Sequence, residues 1–107
     1  MNNPPQSLDG ARVLEFAVID DSVKFTGRLE LYRGDEPVGP VPRLVIAQNP
    51  EASDLLLLHC DMDWNVLGVQ AWNAPDKPPV TSVEEVKRRA EQYYIGLSSK
   101  WVRLQAQ

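Results

Sequence analysis

Residues Asp54–Trp72 (DLLLLHCDMDWNVLGVQAW) constrain this chain more than any other stretch. Two apolar runs, Leu55–Cys60 and Val66–Trp72, flank a polar interval at Asp61–Asn65, the pattern of a β-hairpin with a loop of about five residues. Both runs are apolar on both faces, so each strand needs cover from two sides. The hairpin is expected in the middle of a sheet, and the other segments must extend that sheet or lie against it.

Upstream, Ala11–Ile19 is rich in β-branched and aromatic residues and reads as a strand, followed by a turn at Asp20-Asp21-Ser22. Val23–Tyr32 alternates: Val23, Phe25, Leu29 and Leu31 on one side, Lys24, Thr26, Arg28, Glu30 and Tyr32 on the other. Gly27 falls on the apolar side, the mark of a bulge or a close approach. Arg33–Pro42 holds Gly34, Pro37, Gly39, Pro40 and Pro42 and reads as a loop. Arg43–Gln48 is a third short strand. Residues 1–10, polar and carrying Pro4 and Pro5, read as a flexible tail, which leaves 11–107 as one domain.

Downstream, the prolines of NAPDKPP make a connector, and Thr81–Gly96 carries a helix signal. Thr81 and Ser82 are candidate N-caps with Glu84 and Glu85 three residues on. Val83, Val86, Ala90, Tyr93 or Tyr94, and Leu97 form an apolar stripe, with Glu84–Arg88 and Glu85–Arg89 as pairs on the other side. Gly96 suits a left-handed stop, after which Trp101, Val102 and Leu104 pack back or add a short strand. The order is β-β-β-β-β-α, an α+β domain with an antiparallel five-stranded sheet on one C-terminal helix. Five strands spaced about 4.8 Å apart span roughly 20 Å, twice the width of a helix at about 10 Å. Either the sheet curls, or a partner covers part of it.

Composition narrows the functional classes. At 107 residues and 43% hydrophobic content the chain builds one core. It has no 18-residue apolar run, so no membrane partner is expected. The first ten residues lack the basic start and apolar stretch of a signal peptide, and the single Cys60 fits a reducing, bacterial-type cytoplasm. A net charge of −4 makes nucleic acid an unlikely partner. The charge is uneven: residues 1–76 sum to −7 and residues 77–107 to +3. An acidic body with a basic edge suits a protein partner, self or other.

His59-Cys60-Asp61-Met62-Asp63 invites a catalytic or metal reading. Neighbours in a strand point to opposite faces, so His59 and Cys60 cannot pair, and the chain holds no other His or Cys to complete a dyad or a zinc site. No catalytic residue, cofactor or metal is therefore expected. Asp61–Asn65 reads as a turn fixed by its own side chains, with Trp64 covering it. The candidate interaction residues are Tyr32, on the polar side of its strand, Trp64, Trp72 and Trp101 as large aromatics, and Arg88 from the basic set Lys87, Arg88, Arg89, Lys100 and Arg103.

The segments Leu58-His59-Cys60-Asp61, Asp63–Gly68 (DWNVLG), Ser82-Val83-Glu84-Glu85, Ala90–Tyr94 (AEQYY) and Gly96–Trp101 (GLSSKW) together resemble a loosely defined group of small uncharacterised bacterial proteins. The resemblance covers about half the chain. It implies a shared small α+β fold and no catalytic residue. The functional expectation is a non-enzymatic, cytoplasmic protein-binding or self-associating domain, immunity-like by analogy. The alternative is a small-ligand binder or enzyme with a pocket between sheet and helix lined by Trp72, Tyr93, Tyr94 and Trp101.

Overall fold

The computed structural model describes residues 3–28, 31–72 and 74–104. In chain order its elements are β1 (Ser7–Leu8), β2 (Ala11–Val18), β3 (Lys24–Phe25), β4 (Leu31–Arg33), β5 (Glu36–Val38), β6 (Arg43–Gln48), β7 (Leu55–Cys60) and β8 (Val66–Ala71). Then come α1 (Val83–Glu91), β9 (Tyr94–Ile95), a 3₁₀ turn (Leu97–Ser99) and β10 (Trp101–Arg103). The α+β class and the antiparallel sheet expected from the sequence are both present. The main sheet runs β1-β2-β6-β7-β8. Its outer edge at β2 is divided, β1 pairing with Ala11 and Arg12 and β10 with Glu15, Phe16 and Ala17.

Register turns this sheet into cross-strand rows. Val102, Phe16, Val45, Leu58 and Val69 stand side by side on one face; Trp101, Ala17, Leu44, His59 and Gly68 stand side by side on the other. Each face carries its own core. On the helix side, Val86 and Ala90 of α1, with Tyr94 and Leu97, bury Leu44, Ile46, Leu55 and Leu57. Two small ribbons, β3–β9 and β4–β5, widen that cover. Leu31 of β4 fills the space over Gly68, its Cδ1 only 3.1 Å from where a Cβ would stand.

Among the described residues, no helix lies over the second face. Trp64 turns back from the β7–β8 turn and meets Phe16 edge-on, ring centres 5.6 Å apart, while the Arg43 guanidinium lies 5.5 Å over the indole. Leu8, Ala11 and Val13 complete the cover, so Val45, Ala47, Leu58 and Cys60 are buried. The sheet is thus sheltered on both sides by its own chain. The width argument holds for α1 alone, but ribbons and an indole supply what the helix lacks.

Several boundaries depart from the sequence reading. The hairpin strand β7 is central, as expected, but β8 is the sheet's edge among the described residues. Ser7–Leu8, read as tail, pair with β2 across a two-residue turn in which Asp9 and Gly10 have φ of 50° and 85°. Positive φ at both positions matches the right-handed twist of the strands, and Asp-Gly is a favoured pair for it. Val23–Tyr32 does not run as one strand. Gly27, at φ 79°, breaks it; Lys24–Phe25 pair with β9, and Leu31–Arg33 form a hairpin with β5 inside the segment read as loop. Leu29 and Glu30 lie outside the described residues.

The helix starts where expected, the Ser82 hydroxyl accepting the Glu85 N–H at 3.3 Å. It ends at Glu91, earlier than the stripe suggested, because Tyr94–Ile95 pair with β3. Trp101–Arg103 do form the short added strand. Between them Gly96 sits at φ 100°, and a Cβ there would lie 2.8 Å from the Ser22 carbonyl oxygen. Gly96→Ala is expected to destabilise by about 2–4 kcal/mol, combining left-handed strain with that clash. Gly27→Ala, also at positive φ but facing open space, is expected to cost only about 1 kcal/mol. Urea denaturation of the two variants checks the order; equal losses would contradict the packing described around Ser22.

Candidate functional site

Strand alternation sends His59 and Cys60 into different cores, as the sequence implied. His59 is buried on the helix side, its Nε2 3.3 Å from Gln70 Oε1. Burial favours the neutral ring and pulls its pKa from 6.5 down to about 4, against a small opposing effect of the Gln70 bond. Cys60 lies in the second core, where burial first, then the charges of Asp61 and Asp9, push its thiol up to about 12. Neither group is a nucleophile or base near neutral pH. No group of three His, Cys, Asp or Glu suited to a metal occurs among the described residues.

The aspartate-rich turn is built as a scaffold. Asp61 Oδ1 accepts the N–H groups of Asp63 and Asn65, each at 2.9 Å, and its Oδ2 accepts the Asn65 amide at 2.9 Å. These bonds hold Trp64 at φ 66°, a left-handed conformation costly for a tryptophan, which aims the indole across the second face. Trp64 is therefore part of the core and leaves little surface for a partner, unlike the expectation for it.

The basic set is largely committed. Lys87 Nζ is 2.8 Å from Glu15 Oε1 and Lys100 Nζ is 2.7 Å from Asp20 Oδ2. Glu85 takes both Arg88 and Arg89, where the sequence suggested Glu84 for Arg88. The Lys100 and Ser22 bonds hold the Asp20 carboxyl well below the ordinary range. Arg88 remains exposed but pinned to Glu85. Arg103 has no partner among the described residues.

The aromatic residues do not converge. Tyr32 is 60% exposed on the β4–β5 ribbon. Trp72 is half-buried, Arg89 lying 5.4 Å over its ring, in a surface depression shared with Lys77 and Val80. Trp101 borders a different depression with Lys87 and Arg88. Tyr94 is core, its hydroxyl accepting the Val41 N–H at 3.1 Å. The expected pocket of Trp72, Tyr93, Tyr94 and Trp101 is thus filled by packing.

A cleft the sequence did not reveal lies elsewhere. It measures about 370 Å³, sits between the first turn of α1 and the β2 edge, and is lined by Arg12, Leu14, Glu15, Val83, Arg103 and Leu104 among others. Its residues come from β2, α1 and β10 and are scattered in the sequence, so only the pairing of β10 with β2 brings them together. No motif marks them in advance. Comparisons with protein-family models, curated proteins and solved structures found no match.

The buried imidazole sets a pH dependence. The unfolded chain takes up a proton on His59 near its ordinary 6.5, while the folded chain resists until about 4. This contribution to stability is full above about pH 6.5 and is lost as pH falls between those values. The total loss is roughly 3 kcal/mol, at about 1.4 kcal/mol for each pH unit separating them. His59→Gln is expected to flatten the drop, measured as unfolding free energy at pH 7 and at pH 4.5. Equal drops in both proteins would show that the ring is not buried neutral.

Proposed function

We propose that this chain is a non-enzymatic domain that binds protein, a second copy or another partner, through the second face of its sheet. The carrying observation is the row Val102, Phe16, Val45, Leu58 and Val69, which crosses five of the six strands of the main sheet. Its three inner residues are buried, but Val102 is 49% and Val69 50% exposed. Val18 faces the same way, since it pairs with Arg43 and Arg43 with Cys60, and it too is exposed. Exposed valines on a face with no helix above it among the described residues are apolar surface that a protein partner would bury. The inert His59 and Cys60 and the committed basic residues support a binding role over a catalytic one. The acidic body favours a basic partner if the partner is another protein.

Sedimentation velocity over a wide concentration range tests the reading, joined to capture from a native-cell extract. The wild-type mass is expected to rise toward two chains, or the wild type to retain a protein. Val69→Asp and Val102→Asp are expected to lose either behaviour while keeping the wild-type far-UV spectrum. A wild type that stays single at every concentration and captures nothing the variants miss would overturn the reading.

A further inference from the structure

β2 pairs irregularly at one place. Val13 faces Ala47 and Glu15 faces Ile46, which leaves Leu14 as an extra residue. Such a bulge reverses the facing of everything beyond it and re-aims side chains. Arg12 and Glu15, three apart and opposite in a regular strand, thereby share the helix-side face and border the cleft described above. Glu15 is only 7% exposed. Its Oε1 lies 2.8 Å from the Lys87 ammonium, and the residue lines the cleft. Arg103 stands across from Glu15 in register without an ion pair to it, and Arg12 also makes none among the described residues.

The cleft therefore offers two guanidiniums without an ion pair among the described residues and one buried carboxylate that meets a single ammonium, over a lining of Leu14, Val83 and Leu104. A simple anion would meet Glu15 and Glu84; a simple cation would meet Arg12, Arg103 and Lys87. A small molecule carrying both charges close together satisfies both sets, and an aliphatic side chain matches the apolar lining. We infer that this cleft binds a free aliphatic α-amino acid, its carboxylate on Arg12 and Arg103 and its ammonium on the Glu15 carboxylate. The site lies at the divided β2 edge, its charged groups on the helix side and its Val13 and Leu104 packed with the second core, and its test reads a small ligand rather than protein binding.

The test is an amide-shift NMR titration of the full chain with L-leucine, with 4-methylpentanoate, which lacks the amine, and with 3-methylbutylamine, which lacks the carboxylate. Leucine is expected to give saturable shifts at Leu14, Glu15 and Arg103, and the two analogues to bind at least about tenfold more weakly, the loss of one charged contact. Arg103→Gln, at an exposed position, is expected to weaken leucine about tenfold and keeps the test valid if Glu15→Gln fails to fold. In a folded Glu15→Gln the preference for leucine over 4-methylpentanoate is expected to vanish. Absence of saturable leucine shifts, equal binding of either analogue to the wild type, or an unchanged affinity in Arg103→Gln would each overturn the inference.

Discussion

The structure depends on β6 and β7 being apolar on both faces. A strand of that kind is stable only between two covers, because each exposed leucine or isoleucine forgoes about 1.5–3 kcal/mol of burial. Every other element is arranged by that requirement. The helix, two ribbons and a 3₁₀ turn lie on one side. On the other lies an indole held in a strained backbone, beside apolar side chains from β1 and β2 of the sheet itself. Among the described residues, the two cores hold different side chains, with the sheet between them.

The central strands were the most legible part of the chain. Leu55–Cys60 and Arg43–Gln48 match their observed bounds because unbroken apolar runs of that length, closed by Asp61 and by Asn49-Pro50, leave one solution. Local pattern failed where pairing is decided from afar. Tyr94 continues the helical stripe, yet with Ile95 it leaves the helix to hold Lys24–Phe25, an interaction spanning about two thirds of the chain. Val23–Tyr32 alternates well enough for one long strand, and only the left-handed Gly27 divides it. The β1–β2 turn was legible in Asp9-Gly10 and went unread beside Pro4 and Pro5.

The candidate sites show the same division. Alternation alone separates His59 from Cys60 and disposes of a catalytic pair. Trp64, by contrast, was readable as the cover of its turn but not as the cover of a whole face, since that depends on where Phe16 and Arg43 arrive. The cleft at Leu14 was invisible to pattern analysis. A bulge is a property of pairing with β6, and Arg103 reaches it from the opposite end of the chain.

The account stands on the second face being closed by its own chain, and Cys60 sits in the middle of that face as a ready reporter. The direct measurement is the rate at which a thiol reagent labels Cys60 under native conditions across a range of protein concentrations. Labelling should be no faster than global unfolding allows, at the lowest concentration as at the highest. Fast labelling, or protection that appears only as the protein is concentrated, would show that Trp64 does not close the face and that a second chain must.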